Sequence, residues 1–480
     1  MKRQFFAFMA IAAVGLASCE KNNPDTQDDS KVSCVKEVYC ATKGNTISYF
    51  NNPVTKNTFV CSWTGGVDGT YVPYLQKITS NGKVAWNNWT RIQNEPGLNH
   101  INETLHFAVT PNDETIHIFN VKKEINGARE ENIPYINKVS ADGELMWGET
   151  GVEFYKFQEI YVEAIEGYVI SDNKGGAWIA ASNGRKEMVV RHVDGNGNLG
   201  KIYSFQPVAR ESIRRPQLIL SPNGDVMVVT ENFDIISHQG GSELIYSADF
   251  RLSIIKPDGT LDDKGALIEN QKVFPGNLPS ICPAADGYYA VLRTSDGKKS
   301  HLIAQHLTWD GTPLTAVVDL TPKGMDTEEI ERVCVDKDNN MVVVILGIQG
   351  SSEAQYGAVT VNVVSPDGGL KFGDKGKVIY KTTPDYLVYP FGVYLMQKED
   401  GTFFFSYSQT TSKVPITYSM WGMKFDLDGN VLSNESLLPL ESVHYLGPTN
   451  NNGLPYFDGV LRMFFIDDNK DQLFGLKFTL

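Results

Sequence analysis

Short apolar runs, separated by polar turns, recur along the whole chain. The runs are nearly continuous and rich in Val, Ile and aromatic residues, which is typical of strands covered on both faces. No stretch long enough to form a helix has helical periodicity. The pattern therefore predicts an all-β fold built from repeated units. Eight such runs begin at Thr58, Thr115, Ala177, Asp225, Tyr288, Met341, Thr402 and Val460.

A glycine turn follows every run except the last. An apolar residue lies four positions before the glycine of an Asn-Gly or Asp-Gly pair, as in residues 74–86 and 135–147. Asn, Asp and Gly tolerate the positive φ of a tight hairpin turn, so each unit predicts a β-hairpin. Because the intervals are 52 to 62 residues, they indicate one array of repeats. The turn glycines are Gly82, Gly143, Gly197, Gly259, Gly311, Gly368 and Gly429.

The mismatch between eight runs and seven turns predicts how the array closes. Aligning Lys477 with Lys424 and Lys77 places the last turn glycine just beyond Leu480, so the eighth unit lacks its outer strand. Residues 36–41 can supply that strand from the other end of the chain, which leaves the ring without a free edge. We expect a β-propeller of eight four-stranded blades, closed by an N-terminal strand. Seven blades with one degenerate unit, and an open solenoid, remain the alternatives.

The N-terminus has the pattern of a lipoprotein leader. Lys2 and Arg3 precede a short apolar run at residues 5–16, which is too short for a stop-transfer helix. The following "LASC" resembles the lipobox of bacterial lipoproteins, which implies acylation of Cys19. We therefore expect a signal peptide at residues 1–18, an acylated flexible tether at 19–33 and one propeller domain at 34–480. An ordinary secretory signal cut near Ser18 is the alternative.

The leader and the polar, acidic tether "CEKNNPDTQDDS" resemble those of Bacteroidetes surface lipoproteins. The resemblance implies an outer membrane lipoprotein that is held in the membrane by its N-terminal lipid and is either periplasmic or surface-exposed. The hairpin consensus likewise resembles the Asp-Gly-x-Leu-Trp blades of secreted bacterial propellers, and Trp86 and Trp147 match its tryptophan. The motifs of sialidase, Trp-Asp and quinone-dependent propellers are missing, so the resemblance implies no activity.

Charge and cysteine content narrow the choice of partners. The formal net charge is −14 and there is no Lys/Arg-rich run, which disfavours nucleic acid. Five cysteines follow Cys19, too few and too irregular for a disulfide framework. We expect Cys282 and Cys334 to be packed thiols on inner strands. Cys34 and Cys40 could pair locally.

The connections between the second and third strands of each blade are the expected ligand-binding loops. They vary in length and run longest at residues 122–132 and 232–246, and variable loops on a rigid scaffold are where function usually lies. Trp421 with Arg214 or Arg215 would combine a stacking surface with a clamp for an acidic saccharide or a peptide carboxylate. Alternatively, the strand-end aromatic residues only seal neighbouring blades. The candidate ligand-binding residues are Trp63, Arg214, Arg215, His238, Tyr246, Tyr356 and Trp421.

Metal and catalytic motifs are not evident. Acidic turns beginning at Asp194, Asp336 and Asp426 have calcium-like spacing, but each coincides with a repeat turn, where Asp and Asn serve the backbone. His192 and His306 occupy the repeat position of Lys77 and are expected to be exposed. The sequence predicts no metal site, no cofactor and no catalytic residue.

These observations favour a non-catalytic, lipid-anchored binding protein of the cell envelope, with a glycan or an envelope protein as its ligand. One alternative is a propeller enzyme that acts on polysaccharide, either a lyase or a hydrolase. A compact cluster of His, Tyr, Arg and carboxylate side chains in the central funnel would mark that enzyme. The other alternative is a scaffold subunit of an envelope complex.

Overall fold

The structure of this protein is a computed structural model. Within the described residues, no helix is long and apolar enough to cross a bilayer. The structure describes residues 33–42, 46–65, 71–93, 106–125, 129–158, 166–237, 243–269, 271, 278–295, 300–323, 327–349, 356–382, 388–413, 416–440, 443–444, 456–457, 459–467 and 472–479.

The chain forms a β-propeller of eight blades arranged in a ring, as predicted. Strand β1 (Ser33–Ala41) comes first in sequence and lies in the last blade. Blade I contains β2 (Thr46–Asn51), β3 (Thr58–Gly65), β4 (Tyr71–Ile78) and β5 (Thr90–Arg91), and blade II contains β6 (Phe107–Val109), β7 (Thr115–Ile125), β8 (Arg129–Val139) and β9 (Val152–Glu153). Blade III contains β10 (Glu166–Ser171), β11 (Ala177–Ser182), β12 (Met188–Val193) and β13 (Leu199–Phe205), and blade IV contains β14 (Ser212–Leu220), β15 (Val226–Ser237), β16 (Glu243–Ile255) and β17 (Leu261–Ala266). Blade V contains β18 (Ser280–Pro283), β19 (Gly287–Ser295), β20 (Ser300–Thr308) and β21 (Val318–Asp319), and blade VI contains β22 (Thr327–Val335), β23 (Met341–Gln349), β24 (Tyr356–Val364) and β25 (Lys377–Lys381). Blade VII contains β26 (Val388–Gln397), β27 (Phe403–Lys413), β28 (Ile416–Phe425) and β29 (Val431–Leu440). Blade VIII contains β30 (Val443–His444), β31 (Tyr456–Phe457), β32 (Val460–Asp467), β33 (Gln472–Thr479) and β1.

The first seven blades are antiparallel meanders whose four strands pair in chain order. All seven turn glycines between the third and fourth strands have positive φ, from +67° at Gly429 to +90° at Gly143, as the hairpin pattern predicts. A side chain at these positions would be strained, which explains why glycine recurs there. The repeat pattern in the sequence therefore reports the turns of the blades directly.

Blade VIII joins the two ends of the described chain. Strand β1 pairs antiparallel with β33, from Ser33 opposite Thr479 to Ala41 opposite Gln472, which confirms the predicted closure. The guanidinium of Arg462 on β32 donates to Glu37 on β1 at 3.1 Å and to the Ser80 carbonyl of blade I at 2.8 Å. These contacts attach the closing strand to its own blade and to the next one. In the inner position, two short strands, β30 and β31, both pair with β32.

The core lies between the blades rather than within any one of them. Buried apolar residues of the described chain form clusters at the contacts I–II, II–III, III–IV, IV–V, V–VI and VI–VII, and one larger cluster joins blades VII, VIII and I. In the larger cluster, Tyr49 of blade I packs on Phe464 of blade VIII with ring centroids 5.1 Å apart, and its hydroxyl hydrogen-bonds that of Tyr394 in blade VII. Each blade therefore depends on both neighbours for burial.

The cysteines of the described chain are all free thiols. Cys34 and Cys40 lie six positions apart on β1, which separates their Cα atoms by roughly 20 Å at the usual strand rise. A disulfide requires less than about 7 Å, so the suggestion that they pair locally is wrong. Cys282 on β18 packs between blades V and VI, and Cys334 on β22 packs against the core between blades VI and VII. Both are packed inner-strand thiols, as predicted.

Candidate functional site

The two ends of the ring differ in construction. The turns between first and second strands and between third and fourth strands lie at one end, here called the turn face. The hairpins between second and third strands, and the connections between blades, lie at the other end, the loop face.

The predicted loop at residues 232–246 is mostly strand: β15 continues to Ser237 and β16 begins at Glu243. Its polar residues lie within a two-stranded ribbon, so polarity alone misidentified it as a loop.

The first strand of blade IV is distorted near the loop face. Arg214 pairs with Glu231 and Gln217 with Val229, so two residues, Arg215 and Pro216, occupy the space opposite Thr230. This is a β-bulge, and Pro216 suits it because proline has no N–H to donate to the neighbouring strand. Arg215 takes a left-handed backbone conformation with φ of 51°. Strained non-glycine residues of this kind cluster at functional sites.

The bulge assembles a cluster of four charged side chains from three strands. The Arg214 Nε donates to Glu231 Oε2 at 2.9 Å, and an Nη1 of Arg215 lies 3.8 Å from the same oxygen. The backbone N–H of Arg215 donates to Glu166 Oε2 of blade III at 2.6 Å. Glu231 is 0% exposed, whereas the Arg215 side chain is 32% exposed. We call Glu166, Arg214, Arg215 and Glu231 the arginine–glutamate cluster.

Burial dominates the electrostatics of Glu166. Desolvation raises the pKa of this carboxyl, against the opposing effects of the Arg215 N–H and of the positive charges of Arg214 and Arg215. The negative charge of Glu231 adds to the increase. A largely buried carboxyl whose pKa is raised by desolvation and lowered by two nearby arginines makes this region a candidate functional site.

An aromatic and a histidine side chain lie beside this cluster. Tyr168 is two residues after Glu166 on β10, and its ring stacks on His106 of blade II with centroids 4.8 Å apart. Burial lowers the pKa of His106 to about 4, so the imidazole is neutral at pH 7. On the other side, the guanidinium of Arg214 lies 4.3 Å above the ring of Phe233. The inner strands of blades II, III and IV therefore bring His, Tyr, Arg and carboxylate groups to one region.

The structure places Trp421 away from the two arginines. Trp421 lies in the middle of β28 in blade VII rather than at the start of the strand, three blades from Arg214. Its ring lies 6.4 Å from Tyr407 and 6.3 Å from Tyr380 of blade VI, and its Nε1 donates to Ser419 Oγ at 2.8 Å. This indole packs in the contact between two blades, which corresponds to the sealing role considered as the alternative.

Three other candidates lie where the sequence predicts, at strand ends on the loop face. Trp63 is near the end of β3, Tyr246 near the start of β16, and Tyr356 is the first residue of β24. Their side chains lie outside the described part of the structure, as does the whole of His238. Their roles as ligand-binding residues remain predictions.

Acidic side chains on the turn face serve the fold. The Asp336 carboxylate accepts the N–H groups of Asp338 and Asn340, each at 2.8 Å, and Asp194 and Asp426 cap their turns in the same way. This confirms that turn chemistry explains the calcium-like spacing.

Two histidines of the turn face lie beside acidic turns, and they differ in burial. His306 was expected to be exposed but is 1% exposed, because its ring stacks on Tyr289 at 4.3 Å and its Nε2 lies 3.2 Å from Asp286. Lys77 occupies the same repeat position in blade I and pairs with Asp113, in a turn of blade II, at 2.8 Å. In both blades a carboxylate from a turn therefore lies against this position. His192 pairs with Asp172 in a similar way, at 2.8 Å.

Sequence reasoning missed both carboxylates of the arginine–glutamate cluster. A signal was present in the run "DVMVVTENFD", where Glu231 follows five apolar or small residues and continues a strand whose neighbours are buried. An acid in such a position needs a cation nearby, because an unpaired buried charge is very unfavourable. Glu166 has no comparable local signal, since its partner lies 49 residues away.

No family model matches the sequence, and no curated protein matches it either. Among solved structures, a puromycin hydrolase is 11% identical with a TM-score of 0.44 over 90% of this chain, which spans only 58% of that enzyme. The polysaccharide lyase Uly1 is 9% identical with a TM-score of 0.43, over 91% of this chain and 89% of the lyase. A sucrose-6-phosphate hydrolase from Lactobacillus gasseri is 10% identical with a TM-score of 0.34, over 92% of each chain. These similarities concern the fold alone.

Proposed function

We propose that this protein is a lipid-anchored envelope protein that binds its ligand on the loop face, at the inner strands of blades III and IV. One observation carries the proposal: the β-bulge that holds Arg215 in a left-handed conformation beside Glu166. A regular strand would avoid both the strain and the buried charges. A binding role explains why this stretch keeps them.

A second candidate function has an observation of its own. Tyr168, Glu166 and Arg215 lie on adjoining inner strands and His106 directly precedes the inner strand of blade II, so the four supply the types of group expected of a propeller enzyme that acts on polysaccharide. A neutral imidazole can accept a proton, and a carboxyl with a raised pKa can donate one. Release of reducing ends or of unsaturated sugars from polysaccharides by the purified protein would favour the enzyme over the binding protein.

The binding site is tested by measuring glycan-array and peptide-array binding of the mature protein and of Arg215→Ala. Arg251→Ala is the matched control, because Arg251 pairs with the exposed Asp263 on the outer strands of the same blade. We expect Arg215→Ala to lose at least tenfold in affinity and the control to bind like the parent. Equal binding by the parent and Arg215→Ala would move the site elsewhere, and no binding at all would favour the scaffold alternative.

The membrane anchor is tested separately from the binding site. In cells labelled with a fatty acid, the parent protein should carry the label and Cys19→Ala should not, because acylation requires that thiol. Comparable labelling of both proteins would contradict the lipobox assignment.

A further inference from the structure

We propose, building on the lipid-anchored function above, that the turn face of blade I lies on the phosphate headgroups of the membrane and that the loop face points away from them. Two features carry this assignment. One is the place where the chain enters the ring, and the other is the charge of the two turns beside that place.

The chain enters the ring at the turn face. Phe425 in blade VII pairs with Val431, the first residue of β29, and the equivalent Phe478 in blade VIII pairs with Cys34 of β1. Ser33 therefore lies where the other blades have the turn between their third and fourth strands. Strand β1 then runs towards the loop face, and Ala41 lies about 27 Å further along it at the usual strand rise.

The predicted anchor is close to this entry point along the chain. Ser33 lies 14 residues after Cys19. A polar chain of this length averages about 20 Å between its ends and cannot exceed about 50 Å. Contact between the loop face and the membrane would require a chain stretched along the rim of the ring. A lipid on Cys19 therefore favours the turn face as the side nearest the membrane.

The turn face is also the more even of the two ends. All seven turns between third and fourth strands are closed by the same hydrogen bond, from the glycine N–H to the carbonyl three residues earlier, at 2.8 to 3.1 Å. On the loop face, β15 and β16 pair as far as Ser237 and Glu243, whereas β14 pairs with β15 only as far as Phe233. This ribbon extends beyond its inner strand. A flat lipid surface therefore approaches the turn face more closely.

Blade I is the only blade whose turns on the turn face lack an acidic residue in the sequence. These turns, residues 52–57 and 79–83, contain Lys56 and Lys83. Every other turn between first and second strands, or between third and fourth strands, contains at least one Asp. Headgroup phosphates attract the lysines and repel these acids. Blade I, which is next to the entry point in blade VIII, is therefore the part of the turn face that suits an anionic lipid surface.

The acidic side chains beside the turns of blade I are paired with cations. Asp113 accepts a hydrogen bond from Asn52 at 2.7 Å and pairs with Lys77 at 2.8 Å. Glu37 lies against the turn at residues 79–83 and pairs with Arg462 at 3.1 Å. Their negative charges are thus compensated within the fold and do not cancel the attraction of the turn lysines for phosphate.

Exposed apolar side chains flank the entry point. Val54, in the turn at residues 52–57, is 64% exposed, the highest value among the large apolar side chains of the described residues. Val35 on β1 is 52% exposed, and Val431 and Leu432 on the other side of blade VIII are exposed as well. Apolar side chains next to cations are typical of surfaces that enter the headgroup region.

Lysine acetylation followed by mass spectrometry tests the orientation. The lipidated protein is compared in detergent and on vesicles of phosphatidylcholine with phosphatidylglycerol. We expect Lys83 and Lys56 to react about threefold or more slowly on the vesicles, because headgroup phosphates attract both ammonium groups. Lys186, in the hairpin between β11 and β12 on the loop face, should react equally in both. Lys337, exposed on the turn face of blade VI, should do the same, because the acidic turns keep that side tilted away.

Two variants separate charge from position. Lys83→Glu removes the attraction, so Lys56 should react on the anionic vesicles nearly as fast as in detergent. Lys337→Glu is the matched control, since it makes the same charge change at another exposed lysine of the turn face, and it should leave Lys56 protected. Both variants should give the parent's circular dichroism spectrum. Equal protection of Lys56 in the parent and in Lys83→Glu, or on vesicles of phosphatidylcholine alone, would overturn the role of the headgroup charge.

The other outcomes are equally decisive. Protection of Lys186 instead of Lys83 would place the loop face on the membrane, and unchanged rates at every lysine would mean that no orientation is preferred. Protection of Lys83 in intact cells but not on vesicles would assign this surface to an envelope protein and overturn the lipid assignment. Absence of a fatty-acid label on Cys19 would overturn the anchor and this inference together, whereas a labelled protein with unprotected Lys83 would overturn this inference alone.

Discussion

Individual buried side chains set how this propeller responds to pH. His117 on β7 is 0% exposed, its ring stacks on Phe107 at 4.8 Å, and its Nε2 shares a hydrogen bond of 2.8 Å with Thr115 Oγ1. The other ring nitrogen has no hydrogen-bond partner among the described residues. Burial lowers the pKa of His117 to about 3, so the folded protein keeps it neutral where an exposed histidine would be charged.

We predict that acidification between pH 7 and pH 5 destabilises the protein through His117. In this range the unfolded chain binds a proton at a histidine of ordinary pKa, about 6.5, and the folded chain does not. The contribution of His117 to stability is complete above the pKa of this residue in the unfolded chain. It declines as pH falls towards the pKa of about 3 that His117 has in the folded chain. The loss from this residue at pH 5 is about 2 kcal/mol. Urea unfolding at pH 7 and pH 5 should show that the free energy of unfolding falls less in His117→Gln than in the parent, and the difference between the two falls should equal that amount. An equal decline in both proteins would contradict the assignment.

At the scale of elements, close backbone approach decides where glycine is required. Gly287 begins β19, and a Cβ there would lie 1.9 Å from the carbonyl oxygen of Leu307 on β20. Backbone atoms of a paired strand cannot move aside as a flexible side chain can. The glycine is therefore needed for strand pairing, although its φ is not left-handed.

We predict that Gly287→Ala destabilises the protein by at least about 2 kcal/mol, because the hairpin between β19 and β20 must open locally. Gly195→Ala is the control: its nearest contact would be 3.3 Å away, and it lies in a turn rather than opposite a paired strand. Chemical denaturation should show that the free energy of unfolding of the control differs from that of the parent by less than about 1 kcal/mol. Similar values for the two variants would mean that the hairpin adjusts without loss.

At the scale of the whole molecule, closure of the ring depends on one strand. Strand β1 covers the edge of β33, and Tyr39 of β1 packs on Phe464 of β32 with ring centroids 5.4 Å apart. The largest hydrophobic cluster joins blades VII, VIII and I at this place. The loss of β1 would expose both an unpaired strand edge and part of this core.

We predict that deletion of residues 36–41 lowers the thermal unfolding midpoint by more than 10 °C, or causes aggregation, although it removes only six residues. Deletion of six residues from the predicted tether, 22–27, is the matched control and should leave the midpoint unchanged. Differential scanning calorimetry of both truncated proteins decides the matter. Unchanged midpoints in both would show that β1 contributes little to closure.

The sequence by itself determined the architecture of this protein. Strand patterns and Asp-Gly or Asn-Gly turns are local signals, so eight apolar runs, seven turn glycines and a missing last strand were sufficient to predict an eight-bladed ring closed by residues 36–41. Tertiary structure decided which residues form the candidate site. Glu166 meets Arg215 across 49 residues, and Arg214 meets Glu231 across 17, through a bulge that no local pattern predicts. Aromatic residues such as Trp421 could not be assigned from sequence because sealing a blade contact and stacking on a ligand require the same side chain. Only the position of each ring relative to the neighbouring blade distinguishes the two roles.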